Sequence, residues 1–150
     1  MTSSEKLSEI KLYYKPRKTV APRITCSEDA YKQVIKFYDK NTIALQEQFI
    51  IIYLNRANTV LGAHKLFTGG LTGTVADIRL IMGIALKSLA CGIIISHNHP
   101  SGQLTPSEAD RTLTSKVGKA CDIMDIKLFD HIIVSPSEGN FYSFADEGEL

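Results

Sequence analysis

The stretch of sequence that most restricts the fold is CGIIIS, residues 91–96, which leads directly into HNHPSG. Its apolar run is too short for a helix, and its β-branched residues are typical of a strand covered on both faces. Strands of this kind lie inside a sheet that has helices packed on both sides. The sequence therefore predicts an α/β fold with this strand near its centre.

The flanking segments predict the rest of the sheet. Two apolar, β-rich runs, EQFIIIYLN and TVLGAHKLF, are separated only by RAN, the spacing of a β-hairpin. Further strands are predicted at 126–135, at FYSF and, as an edge strand, at EIKLYYK. Helices are predicted behind a Ser27 cap, over DIRLIMGIALKSLA, and from Thr105 to about Asp122. Together these elements indicate a mixed α/β sheet flanked by helices.

Composition narrows the class of protein. A chain of 150 residues suits one domain, and 44% apolar with 22% charged residues is typical of a soluble globular protein. No apolar run approaches the roughly 18 residues of a membrane span, and the N-terminal sequence lacks the pattern of a secretory signal. Three cysteines without C-x-x-C spacing indicate reduced thiols, and two of them lie in apolar settings typical of a core. We expect a cytoplasmic protein that does not contact membranes.

The net charge of +1 gives no overall attraction to nucleic acid. Five basic residues nevertheless cluster near the N-terminus beside two tyrosines, without an acidic residue among them: Lys11, Lys15, Arg17, Lys18 and Arg23. Such a segment is usually a solvated arm, although basic and aromatic side chains together also suit a phosphate backbone. We therefore expect residues 1–24 to form an arm, with at most weak, salt-sensitive binding to nucleic acid.

The end of the predicted central strand carries the candidate metal ligands. Residues two apart in a strand share a face, so His97 and His99 present both imidazoles to one side. TPSE fits a helix capping box, with Thr105 as the N-cap and Glu108 reaching back to it. Ser107 and Asp110 would then share a helix face. If that face looks back at the strand end, Asp110 supplies a third ligand.

Two histidines, one carboxylate and an open fourth position are typical of catalytic rather than structural zinc. Zinc makes hydroxide available near neutral pH, and a neighbouring carboxylate is then needed to move the proton. Glu47 is the candidate because it begins the first hairpin strand, which can lie beside the histidine strand. From position alone, an ordinary carboxylate at a strand end remains the alternative for Glu47. Ser107 can likewise be only a residue of the first helical turn, and His131 either a neighbour of the ligands or an ordinary strand histidine.

The motif HNHPSG, followed by Ser107 and Asp110 and preceded by Glu47, resembles the JAMM motif of JAB/MPN metalloproteases. HNHPSG, TPS..D and the late DHIIV together resemble the RadC family over most of the chain. The resemblance implies a curved sheet flanked by helices, a cytidine-deaminase-like JAB/MPN architecture over residues 25–150. It also implies zinc held by His97, His99 and Asp110. Glu47 would then act as general acid/base, and Ser107 would donate to the oxyanion.

Three functions are compatible with this resemblance. The favoured one is a zinc-dependent hydrolase that cleaves a peptide or isopeptide bond of a protein substrate through a metal-activated water. The alternatives are a nucleic-acid-binding or nuclease protein associated with DNA repair, and a non-catalytic metal-binding interaction module. The chain is interpreted as a short form without the helix-hairpin-helix region of longer RadC relatives, which weakens the DNA-repair alternative. Substrate and oligomeric state have no readable signal.

Overall fold

The computed structural model describes residues 7–9, 11, 15, 20–68 and 76–150. Within these residues, helices alternate with strands and with a single 3-10 turn. In chain order they are α1 (Ser27–Val34), the 3-10 turn (Ile35–Phe37), β1 (Gln48–Leu54), β2 (Val60–Thr68), α2 (Ile78–Lys87), β3 (Gly92–Asn98), α3 (Glu108–Ile123), β4 (Lys127–Val134) and β5 (Phe141–Ser143). The predicted edge strand at 9–15 and the Gly-rich segment TGGLTGT at 68–74, whose sequence is typical of a loop, lie largely outside the described residues.

The strands form one mixed sheet in the order β2-β1-β3-β4-β5. The β1–β2 hairpin, the β1–β3 pair and the β4–β5 pair are antiparallel, whereas β3 and β4 are parallel and are joined through α3. All seven residues of β3 are buried. The predicted central strand and the predicted mixed α/β sheet are therefore confirmed.

Helices cover both faces of the sheet, and alternate residues of the central strands pack into a different hydrophobic cluster on each face. On one side Ile51 and Ile95 pack with residues of α2 and α3, among them Ile81 and Val117. On the other side the core contains side chains from α1 and the sheet: Ala30, Val34, Ile50, Ile52, Ile94 and Ile132. The fold is thus a sheet between two helical layers. The apolar runs of β1 (residues 49–54) and β3 (residues 92–95) follow from this double coverage.

This alternation fixes where the polar residues at the end of β3 point. His97 continues the series of Ile93 and Ile95, so it faces the layer that contains α3. Asn98 continues the series of Ile94 and therefore faces the opposite layer. The neighbouring residues His97 and Asn98 therefore place their side chains on opposite sides of the sheet.

Two local predictions are wrong. Cys26, whose backbone is extended, is the N-cap of α1; Ser27 is already the first helical residue, and its hydroxyl donates to Asp146 at 2.6 Å. Two cysteines were expected in the core, but only Cys121 is buried; Cys26 and Cys91 are exposed, and all three are free thiols. Cys91 precedes β3 at the margin of the sheet, outside its apolar interior. In the part of the chain that is described, no helix has the length and apolarity needed to cross a bilayer.

Candidate metal centre

His97 and His99 meet at the carboxyl end of β3. The two Nε2 atoms lie 3.0 Å apart, and the His97 ring stacks at 6.2 Å from Phe49 on β1. The backbone N–H of His99 donates to Val134 of β4 at 3.0 Å, so sheet pairing extends one residue beyond the strand. Both imidazoles are therefore held by regular sheet structure, and their side chains are only 6% and 16% exposed.

Asp110 approaches the histidines from the first turn of α3. Its Oδ1 lies 3.1 Å from His97 Nε2, and its Oδ2 lies 3.3 Å from His99 Nε2. The three side chains form a group in which one ligand atom from each lies within 4.8 Å of the others. The structure thus brings together the three residues that the sequence predicts as ligands.

The start of α3 differs from the predicted one. Ser107, not Thr105, is the N-cap: its Oγ accepts from the Asp110 N–H at 3.1 Å, and the Ser107 N–H donates to Asp110 Oδ2 at 2.8 Å. The assignment of Thr105 and Glu108 to the box is wrong because TPSE and SEAD both fit the capping-box pattern. The contacts of Asp110 with the histidines favour the second. Asp110 therefore closes the cap with the carboxylate that faces the imidazoles.

The donor set fits a zinc ion. Ligand atoms around tetrahedral zinc, with bonds of about 2.0–2.1 Å, lie about 3.3 Å from one another. His97 Nε2 lies 3.0 Å from His99 Nε2 and 3.1 Å from Asp110 Oδ1, and the second carboxylate oxygen, Oδ2, lies 3.3 Å from His99 Nε2, all close to that value. Two imidazole nitrogens with one carboxylate oxygen are also ligands that zinc commonly takes in catalytic sites. These residues can hold a metal ion with little rearrangement.

Hydrogen bonding behind His99 points its lone pair into this group. Its Nδ1 lies 2.6 Å from the carbonyl oxygen of Gln103. Because a carbonyl only accepts, Nδ1 carries a proton, and in the neutral form of His99 the Nε2 lone pair is free to bind a metal. Such a hydrogen bond on the far nitrogen is the usual companion of a metal-bound imidazole.

The charges at the group favour a cation. Burial opposes ionisation of Asp110, but hydrogen bonds from His97 and His99 outweigh it and hold the pKa of this carboxyl well below its ordinary value. The hydrogen bond to Asp110 in turn raises the pKa of His99. A carboxylate beside two imidazole nitrogens therefore attracts positive charge, either protons or a metal ion.

Glu47 lies beside the same group. It precedes β1 and lines, with His99, an open pocket of about 460 Å³. The remaining lining residues come from two segments of the chain: Ala44, Leu45 and Gln46 before β1, and Pro100 and Ser101 after β3. Ser107 is exposed, and its only described side-chain contact is the cap with Asp110. Glu47 and the His99 imidazole thus share one solvent-accessible pocket.

Asn98, which the sequence analysis did not single out, fixes the backbone on both sides of Glu47. Its Oδ1 accepts from the N–H of Gln48 at 2.6 Å, and its Nδ2 donates to the carbonyls of Ile43 at 2.7 Å and Gln46 at 3.0 Å. Asn98 is fully buried. Its position between two candidate ligands, on the opposite face of a buried strand, was the signal that could have identified it.

Asn98→Ala should lower the free energy of unfolding by about 2–4 kcal/mol, because buried backbone groups of Ile43, Gln46 and Gln48 lose their partner. Chemical denaturation of the metal-free chain measures this change. The exposed Asn41 of the same loop provides the control, since Asn41→Ala should stay within about 0.5 kcal/mol of the parent. Equal stability of the two variants would contradict the role given to Asn98.

The fold and the site together define a class: a mixed α/β domain with a His–His–Asp group at the end of its central strand, as expected of a JAB/MPN domain. The family model described as RadC-like JAB domain matches residues 24–149. The chain belongs to the RadC-like JAB domain family.

Curated relatives agree with this assignment. The chain is 40% identical to a UPF0758 protein of Flavobacterium johnsoniae over 126 residues, which are 84% of this chain and 53% of that protein. It is 42% identical to a UPF0758 protein of Porphyromonas gingivalis over 127 residues, 85% of this chain and 54% of the relative. The chain therefore spans about half the length of these curated relatives.

Proposed function

We propose that this domain is a zinc-dependent hydrolase of the JAMM type that cleaves a peptide or isopeptide bond. The proposal depends mainly on one observation: two imidazole nitrogens and a carboxylate oxygen converge beside a pocket that Glu47 also lines. Membership of a JAB-domain family supports it, because that family includes metallohydrolases. His97, His99 and Asp110 would hold the metal, which leaves a fourth position open towards the pocket.

The roles of the protein side chains follow from their places. When bound, zinc would supply a lowered pKa for water and polarisation of the substrate carbonyl. Glu47 would accept the proton from water and deliver it to the departing amine, because it is the carboxylate among the residues that line the pocket. Asn98 would hold Glu47 in place through the two peptide units that flank it.

We assign Ser107 the role of stabilising the negative charge that develops on the substrate carbonyl oxygen. As the N-cap, its Oγ accepts the Asp110 N–H through a lone pair, and this bond does not use the hydroxyl hydrogen. That hydrogen can donate to a developing negative charge next to Asp110. Ser107 would therefore combine a structural and a catalytic role with different parts of one hydroxyl group.

A cleavage screen tests the proposal. The zinc-loaded chain is incubated with a peptide library and with isopeptide-linked lysine conjugates, and new amino groups are identified by mass spectrometry. We expect cleavage that is lost on chelation, restored by zinc and absent in His97→Ala. Zinc binding without turnover on either substrate type would instead favour the interaction module.

A parallel incubation with duplex DNA addresses the remaining alternative. DNA cleavage that requires His97, His99 and Asp110, without peptide cleavage, would replace the peptidase proposal by a nuclease. Binding is measured at 50 and 200 mM salt, because contacts made only by a basic arm should weaken steeply over that range.

A further inference from the structure

A chain of buried hydrogen bonds lies behind His97. The Thr114 hydroxyl donates to the backbone carbonyl of Asp110 at 2.7 Å, and Thr114 Oγ1 lies 2.6 Å from His131 Nδ1. His131 Nε2 lies 2.8 Å from His97 Nδ1. His131 is completely buried, and Thr114 is 3% exposed. The chain therefore runs from Asp110 through α3 and β4 to the far nitrogen of His97, shielded from water.

The donor and acceptor of each bond can be assigned in turn. The Asp110 carbonyl can only accept, so the Thr114 hydroxyl donates its only hydrogen to this carbonyl. Thr114 Oγ1 must then accept from His131, which places a proton on His131 Nδ1. The first two hydrogen bonds thus determine that Nδ1 of His131 is protonated.

His131 is surrounded by apolar groups that oppose a charge. Its ring stacks on Phe144 at 4.6 Å and lies against Phe49 at 6.4 Å. Because the ring is completely buried between these aromatic side chains, a charge on it would be costly, and the imidazole is neutral. A neutral imidazole with its proton on Nδ1 has a lone pair on Nε2, and this lone pair accepts from His97 Nδ1–H.

We infer that Thr114 and His131 are positioning residues that fix the tautomer of His97, so that its Nε2 lone pair faces His99 and Asp110 and is ready for a metal ion. The inference rests on the metal centre of the proposed function and adds two residues outside the ligand set. It also links both ends of Asp110 to His97, since its carbonyl begins the chain and its carboxylate faces Nε2.

The two histidines are therefore prepared by independent means. Gln103 of the turn after β3 sets His99, whereas Thr114 and His131 set His97. With both tautomers set, the neutral imidazoles direct their Nε2 lone pairs towards each other and the carboxylate at about 3 Å, so the group takes up positive charge, either protons or a metal ion. Only a cation satisfies all three, which is why the hydrogen bonds behind the ligands matter for metal affinity.

The test compares Thr114→Val, which removes the hydroxyl at nearly constant volume, with Thr114→Ser, which keeps it. Zinc affinity is measured by chelator competition, and the protonated imidazole nitrogens of the zinc-loaded chain are identified by ¹⁵N NMR. We expect Thr114→Val to bind zinc roughly 10-fold to 100-fold more weakly, and Thr114→Ser to remain close to the parent. In the parent, His131 should carry its proton on Nδ1 and His97 on Nδ1.

Several results would overturn the inference. These are equal zinc affinity of the two variants, a His131 proton on Nε2, or ligation through His97 Nδ1. A merely structural effect is recognised by denaturation of the metal-free chains, because it would lower stability without altering affinity or protonation. The readouts do not involve turnover, so a failure of hydrolysis leaves this inference standing. A parent chain that binds no zinc would overturn both proposals.

Discussion

His97→Ala and Asp110→Ala should each reduce the zinc content of the purified chain from about one ion to nearly none. Removing either residue leaves two ligands from the protein, and a two-ligand site binds zinc poorly compared with three. Asp110→Ala also removes the charge that balances the cation and opens the Ser107 capping box. Elemental analysis after gel filtration measures the metal content directly.

His64→Ala is the matched control for this experiment. His64 lies on β2 and is exposed, away from the described ligand group, so its replacement should leave zinc content unchanged. Full metal retention in both His97→Ala and Asp110→Ala would show that the ion binds elsewhere. Thermal denaturation with and without zinc separates a lost ligand from a chain that fails to fold.

Glu47→Gln should keep zinc yet lose hydrolysis of a cleavable peptide by roughly 100-fold to 10,000-fold, the range usual for a general base. The amide has almost the shape of the carboxylate but cannot accept the proton. Because Asn98 holds the backbone rather than the side chain of Glu47, the substitution should leave the loop in place. The measurement pairs turnover with metal content on the same preparation.

Glu108→Gln removes an equivalent charge from an exposed carboxylate at the start of α3 and should preserve both quantities. If Glu47→Gln lost the metal, Glu47 would be a ligand rather than a base. If it retained full turnover, the proton would be moved by another group, and the catalytic assignment of Glu47 would be wrong.

The sequence predicted the sheet well because its signals there are local. Three successive isoleucines in β3 indicate a buried strand, and the spacing of β1 and β2 indicates a hairpin. The start of α3 was ambiguous, because TPSE and SEAD both fit the pattern of a helix cap. Only the contact of Asp110 with distant histidines distinguishes them, and that contact is a property of the folded chain.

The residues behind the centre were harder to find for a related reason. His131 contacts His97 across 34 residues of sequence, and Asn98 reaches Ile43 across 55. No spacing rule connects such partners, because they meet only through the parallel pairing of β3 with β4 and the packing of the loop before β1. The DHIIV motif drew attention to His131 but left open whether it faced the ligands.

His97 and Asn98 point to opposite faces of the sheet, and both are buried, which limits the substitutions that these two positions can accept. Both side chains are committed to the interior of the sheet, so a change in either disturbs packing as well as chemistry. The pocket walls at 44–46 and 100–101 are outside that interior, and Leu45 is 61% exposed. Under the proposed function, new substrate preferences can therefore arise by substitution in these walls while the metal ligands stay constant.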